Sequence, residues 1–467
     1  MVTFEQGGVQ APVVDSLLWE GLRSRMRGDL VLPGSPTYDE ARKVFNGMID
    51  RRPAAIAQCV DTDDVVAAVN FAREHGLPLA VRGGGHGVAG HSVVDEGLII
   101  DFSAMKGVSV DVDHRVATVE AGARLGEFVT ETERYGLVSP TGTASDTGVA
   151  GLTLGAGFGW LAGKFGLAVD NLVGAEVVTA DGAVLHASEI EHLDLFWAFR
   201  GGSGNFGVVT RFELKLHPLT QVIGGMILHP FPHAGDVLRF YRDVAATAPD
   251  ELVMYAAILT LPDGPQAVAI ICCWSGEEAE GLEVLAPIRV FGTPFADTIQ
   301  PMPYSAMNSL IDQAVPPGFR YYWKESMLRE LADGTIDTIV EYASRIISPR
   351  TALLIDQVHG AAHRIESSAT AFPHRDSPHA LVMLSGWEDP ADDDANIAWT
   401  RELAAAIKPW ATGGVYVNEA WDVSPHAAYG ANYERLAQVK ARYDPANLFR
   451  HNANIAPARE SSNGNAL

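Results

Sequence analysis

Cationic charge is what this sequence lacks most. Against 58 aspartates and glutamates it sets only 34 lysines and arginines, a formal net charge of -24. Such a balance argues against DNA, RNA or an anionic membrane as partner, because those need clustered positive charge. Cysteine is scarcer still. Cys59, Cys272 and Cys273 are too few and too scattered for a disulfide framework, and their spacing does not suit zinc, so no metal site is expected. Two of them sit in the apolar run "AVAIICCW", which reads as core. No apolar run approaches the ~18 residues of a membrane span. The opening "MVTFEQGGVQAPVV" has no basic segment followed by an apolar one, so no signal peptide is expected there. These absences leave a soluble, cytoplasmic protein as the expectation. The chain of 467 residues is long enough for two or three domains.

What the chain has in excess is glycine, unevenly placed. Glycines crowd residues 83–90, 142–166 and 201–207. Around them, short strands ("LPLAV", "GLIIDFS", "VATVEAG") alternate with helices ("DVVAAVNFAREHG", "RLGEFVTETERYG"). "GAEVVTADGAVLHAS" predicts a hairpin turning at Asp181-Gly182, and "GVVTRFELKLHPL" a closing strand. From about residue 221 the texture changes to long apolar strands ("LVMYAAILTL", "AVAIICCW", "TALLIDQVHGAA") and helices such as "SAMNSLIDQAV". That pattern predicts an antiparallel sheet with helices on one face. The helix "YERLAQVKARYD" follows, then "PANLFRHNANIAP", whose asparagines suggest a strand end against something polar. The tail "ARESSNGNAL" reads as frayed.

The loop "VRGGGHGVAGHS" carries the chemistry. Gly85-x-Gly87-x-x-Gly90 matches the dinucleotide pattern G-x-G-x-x-G. The Rossmann form needs a helix straight after it, yet "GLIIDFS" begins at Gly97, leaving no room for a crossover helix of ~10–12 residues. No Gly-Lys-Ser/Thr follows, so it is not a P-loop. A tight strand-to-strand loop with bare amides remains, and successive bare N–H groups bind anions such as a pyrophosphate. His86 within it reads either as a surface-loop histidine or as a nucleophile held against a flavin ring. The stretches "GVAGLTLGAGFGWLAGKFGLAVDN" and "DLFWAFRGGSGNFGVVT" read as poor helix and poor strand, suited to backbone wrapped around a large flat cofactor.

Together these motifs, with "PGFRYYWKES", "GGVYVN" and "YDPANLFRHNANIAP", resemble the berberine-bridge-enzyme-like branch of the vanillyl-alcohol-oxidase superfamily, over about residues 35–220 and 300–457. The resemblance implies an α+β, two-domain PCMH-type FAD-binding fold. It assigns residues 15–220 to the FAD domain, 221–408 to an antiparallel-sheet substrate domain covered by helices, and 409–460 to a segment returning to the FAD domain. It implies FAD as cofactor, joined through its 8α carbon to His86. Arg82, Gly83, Gly84, Gly85, Gly87, His91 and Ser92 would hold the pyrophosphate and ribityl chain. Gly142, Thr143, Thr147, Gly148, Gly151 and Gly157 would pack along the cofactor, Val209 on the adenine side and Asn452 or Asn454 at the ring. Two departures stand out. Ala144 occupies the place of the cysteine that attaches FAD a second time in many members, so one covalent bond is expected. Glu419 follows "YVN" where relatives often carry Tyr or Phe.

By the same resemblance the chain takes a hydride from a C–OH or C–NH carbon of a small organic molecule (a secondary metabolite, alkaloid or sugar) and reduces O2 to hydrogen peroxide. The alternatives are an oxygenating tailoring enzyme of polyketide type and, from another class, a flavin-binding protein without catalysis. Candidate bases are Tyr416, Asn418, Glu419, Lys324, Tyr322, Asp356 and Gln357. Lys324 could lower the pKa of a tyrosine base. If "GVYVN" stays extended, Tyr416 and Glu419 point to opposite faces. Thr147 and Leu152 are expected beside the oxygen approach, and the substrate-lining residues within 221–300.

Overall fold

The computed structural model describes residues 16–262 and 264–459. The opening segment and nearly all of the polar tail lie outside them. Local chemistry sets the first long helix, Thr62–His75. The Asp61 side chain accepts from the Asp64 N–H at its start, and Gly76, at φ 62°, ends it. The helix precedes a four-stranded sheet edge in which Leu79–Arg82 pairs with Leu98–Asp101. Those two strands run parallel, yet residues 83–97 join them without a helix, as the glycine spacing predicts. A second sheet orders the strands Val108–Asp111, Val116–Glu120, Val208–Lys215, Leu172–Val178 and Val184–Ser188 side by side, all antiparallel. Its last pair is the hairpin at Asp181-Gly182.

The glycine-rich stretch departs from expectation. Instead of irregular backbone it forms the helices Val149–Gly155 and Ala162–Phe165 and a 3-10 turn, Ala168–Asn171. A helix also spans Leu193–Phe199. Burial of Phe158, Trp160, Leu161 and Phe196 overrides the weak helix preference of glycine there. The helix read in "SAMNSLIDQAV" is broken, running Tyr304–Asn308 and then a 3-10 turn at Asp312–Ala314. Asn308 and Asp312 reach across to the 142–145 loop, Nδ2 of Asn308 to Gly142 O at 2.8 Å and the Asp312 carboxylate to Ser145 N at 2.9 Å.

The later half builds one eight-stranded sheet from Val222–Pro230 to His379–Trp387, antiparallel throughout. Its strand Leu252–Thr260 is apolar from Leu252 to Leu259 because both faces are covered. Leu252, Met254, Ala256 and Ile258 face a layer of helices that includes Ala234–Ala245 and Asp393–Ile407. Val253, Tyr255 and Ala257 face Trp160, Leu161 and Val138 from the first half. Among the described residues no helix is long and apolar enough to cross a membrane.

The helix Tyr433–Tyr443 and the chain after it join the core of the first half through Leu436, Val439, Phe449 and Ile455. "PANLFRHNANIAP" is not a strand end. Lys440, fully buried, replaces ladder bonds by donating to Asn205 O (2.7 Å), Phe449 O (2.8 Å) and Asp444 (2.7 Å). Removing one partner of a buried pair strands the other charge. Lys440→Ala is therefore expected to lower stability by about 3–5 kcal/mol, read as a shifted denaturant midpoint.

Candidate active site

One elongated cavity runs between the glycine loop, the Val149–Gly155 helix, the sheet of the second half and the C-terminal segment. No lysine or arginine lines it among the described residues. At the glycine loop its polar wall is mostly backbone. The N–H groups of Gly83, Gly84, Gly85, His86 and Gly87 donate to nothing within the described protein. Gly84 and Gly148 touch so closely that a Cβ at Gly84 would lie 2.5 Å from Gly148 N, which locks the loop to the start of the helix. Ser92 Oγ, His451 Nε2 and Asn452 Oδ1 line the cavity, buried and unpartnered. Bare amides, apolar Leu79, Val81, Phe102 and Val209, and unpartnered polar atoms in one lining fit an anionic dinucleotide with flat rings.

His86 faces this cavity. Its ring stacks on Phe45, centroids 4.0 Å apart and 23° from parallel. His86 Nε2 lies 3.2 Å from Asp146 Oδ1, an acid that sequence reasoning passed over. His91 lines the wall as a neutral imidazole, its pKa lowered to about 4 by burial and by the charges of Arg51 and His451. Gly142, Thr143, Thr147, Gly151 and Asn452 also line the cavity. Three expected cofactor residues do not. Arg82 turns away, its buried guanidinium held by Asp101 at 2.9 Å and by Lys43 O. Gly157 lies behind the wall and donates its N–H to Tyr416 Oη at 3.0 Å. Asn454 lies outside the lining, whereas His451 and Ala453 are in it.

The candidate bases lie close by, since Phe45, stacked on His86, also packs edge-on against Trp323. Alternation along Arg320–Leu328 sorts them: Trp323 lines the cavity, and Glu325 shares its face. Lys324 and Tyr322 take the other face. Lys324 pairs in register with Met383, which packs among the helices. Tyr322 Oη donates to Asp422 at 2.7 Å and accepts from Arg401 at 3.0 Å. Gln357 is spent on structure, bonding Met254 N and Ala245 O. Residues 221–300 contribute nothing to the lining.

The segment at Tyr416 is not extended. A turn returns the Glu419 N–H to Tyr416 O at 3.2 Å, so Tyr416, Asn418 and Glu419 all line the cavity. Asn418 Nδ2 donates to Tyr416 Oη at 2.8 Å and to Gly151 O at 3.1 Å, fastening the turn to the helix. Ala156, at φ 149°, aims the Gly157 N–H at the same phenol. Tyr416 is a poor base. Burial and the neighbouring Glu419 charge raise its pKa, and the cation that would lower it faces the other side of the sheet. Glu419 has no hydrogen-bond partner for its carboxylate among the described residues, and burial raises its pKa to about 7. Glu325 and Asp356 are buried with raised pKa values, for burial first and then like charge. Glu325 accepts the Tyr416 N–H at 2.7 Å; its second oxygen, like Asp356 Oδ1, is unpartnered. The sequence marked Asp356 but missed Glu325, whose two-residue offset from Trp323 was the available signal.

Comparison with known proteins agrees with this geometry. Residues 53–188 match the family described as FAD binding domain, and residues 415–456 the family described as berberine and berberine like. An FAD-linked oxidoreductase of Dictyostelium discoideum is 32% identical over 92% of this chain and 95% of that one. The crystal structure of 6-hydroxy-D-nicotine oxidase from Arthrobacter nicotinovorans superposes with a TM-score of 0.86 at 28% identity, covering 93% of this chain and 98% of that one. Glucooligosaccharide oxidase from Acremonium strictum, whose FAD is described as 6-S-cysteinyl, 8α-N1-histidyl, has a TM-score of 0.86 at 26% identity over 95% and 100% of the two chains. This chain is an FAD-binding oxidoreductase of PCMH-type fold, and it belongs to the berberine-bridge-enzyme-like family of FAD-linked oxidases.

Proposed function

We propose that the chain dehydrogenates a carbon bearing O–H or N–H in a small organic molecule and passes the electrons to molecular oxygen, giving hydrogen peroxide. Bound FAD supplies the two-electron acceptor. The residues that would hold it are the bare amides of Gly83–Gly87, with His91, Ser92, the 142–151 loop, Val209 and Asn452 along its length. His86 would attach it by a single covalent bond, since Ala144 offers no second nucleophile.

One observation carries the catalytic part: an unpaired carboxylate, Glu419, opens onto the cavity beside Tyr416 with its pKa raised to about 7. A carboxyl poised there takes a heteroatom proton at neutral pH. Tyr416 accepts two hydrogen bonds and keeps its own O–H to donate to the substrate, which fixes the substrate oxygen or nitrogen over Glu419. Glu325 and Asp356 lie behind as proton-holding neighbours, since carboxyls this close do not all ionise together. The relatives' names span a nicotine and an oligosaccharide, so the substrate panel must include both amines and sugar alcohols.

The test is anaerobic mixing with that panel, watching the flavin bleach, followed by air and a peroxide assay. One peroxide per substrate oxidised supports the oxidase reading. Oxygen uptake without matching peroxide replaces it with oxygen insertion, and a flavin that neither bleaches nor reoxidises points to binding without catalysis.

A further inference from the structure

His86 has two ring nitrogens, and its surroundings distinguish them. The Phe45 contact is face to face, so it fixes the plane of the imidazole but tolerates a half-turn of the ring. Asp146 does not tolerate it: its Oδ1 lies 3.2 Å from Nε2, and Nδ1 has no partner among the described residues. Asp146 is itself held firmly. The Leu125 N–H bonds Thr147 O at 2.9 Å, the Gly126 N–H bonds Ser145 O at 2.8 Å, and Ser145 N–H reaches Asp312 at 2.9 Å. Burial alone would raise the Asp146 carboxyl; the contact with His86 and the charge of Arg124 bring it below its ordinary value.

We propose that Asp146 is the positioning residue for covalent attachment: it keeps the proton of His86 on Nε2 and so frees the Nδ1 lone pair, the N1 nitrogen that is linked in glucooligosaccharide oxidase. This rests on His86 being the point of attachment. In that reaction one methyl C–H bond and one imidazole N–H bond break, and one C–N bond forms. The two protons and two electrons released reduce molecular oxygen to hydrogen peroxide. Bonding through Nδ1 leaves a positive imidazole until the Nε2 proton departs. A carboxylate at Nε2 stabilises that charge, as a buried acid does for a catalytic histidine elsewhere without itself being protonated, and the proton then leaves to water. A charge-assisted contact of this kind is worth enough to change a rate by on the order of tenfold or more.

The experiment measures attachment, not turnover. Wild type, Asp146→Asn and Asp146→Glu are purified with FAD in excess and sampled over time. Each sample is acid-precipitated, and flavin is measured in pellet and supernatant. Peptide mass spectrometry and NMR of the flavin peptide identify the linked nitrogen. Linkage through Nδ1 in wild type is expected. Asp146→Asn, nearly isosteric, should bind FAD yet attach it on the order of tenfold more slowly. Asp146→Glu, which keeps the charge, should attach it faster than Asp146→Asn. Wild-type linkage through Nε2, or attachment in Asp146→Asn at the wild-type rate, overturns the role of Asp146 while leaving His86 as the anchor. A colourless wild-type pellet is a different result: it removes the covalent bond itself.

Discussion

His86→Ala sends the yellow colour into the acid supernatant, while the wild-type pellet stays yellow. The change expected is from all of the flavin retained to none, because the bond is assigned to His86 alone and no cysteine lines the cavity among the described residues. Cys59, Cys272 and Cys273 are buried in the cores, and Ala144 carries nothing reactive. The variant should still bind FAD reversibly. The bare amides of the loop and the unpartnered Ser92 and Asn452 are untouched by the substitution, and they supply the non-covalent hold. Equilibrium dialysis of the variant against FAD separates loss of the bond from loss of the site. Colour kept in the His86→Ala pellet sinks the assignment.

Glu419→Gln should cost about 10²–10⁴ in kcat/KM. The sign of the pH effect follows from the charge state. A base works ionised, and the Glu419 carboxyl, raised to about 7, is protonated below that pH. Wild-type kcat/KM should therefore climb with pH through about 7 and level off above it. The amide cannot titrate, so the variant should lose that limb as well as the rate. An unchanged flavin absorbance spectrum would show that the cavity is intact. If Glu419→Gln keeps the rising limb, the proton goes elsewhere, and Asp356→Asn becomes the next variant to profile.

Much of this site was legible in the residues, for reasons that differ from place to place. The loop at 83–92 was readable because sequence spacing left no length for a helix, and length is a constraint that tertiary contacts cannot relax. The antiparallel sheet with helices on one face followed from apolar runs such as "LVMYAAILT". The misreadings share one cause, side-chain direction set by backbone that local pattern does not encode. Arg82 sits at the end of a strand, and the parallel neighbour brings Asp101 opposite it, which turns the guanidinium inward. Lys324 and Tyr322 were counted among the candidate bases, although alternation puts them across the sheet from Trp323, which lines the cavity. Glu419 was placed opposite Tyr416 on the premise of extended chain, and a turn brought the two together. Asp146 carried no pattern at all; only folding sets it against His86.

A binding wall made of fixed amide dipoles has a consequence for how the protein meets its cofactor in solution. Mobile lysines and arginines attract a phosphate from a distance, and dissolved salt weakens that pull within about 10 Å at 0.1 M. Peptide N–H groups act only at contact, too close for electrolyte to intervene. With an acidic exterior repelling the dinucleotide and no lysine or arginine in the lining among the described residues, capture should be slow in dilute buffer and quicken as ions mask the repulsion, whereas release should barely respond to ionic strength.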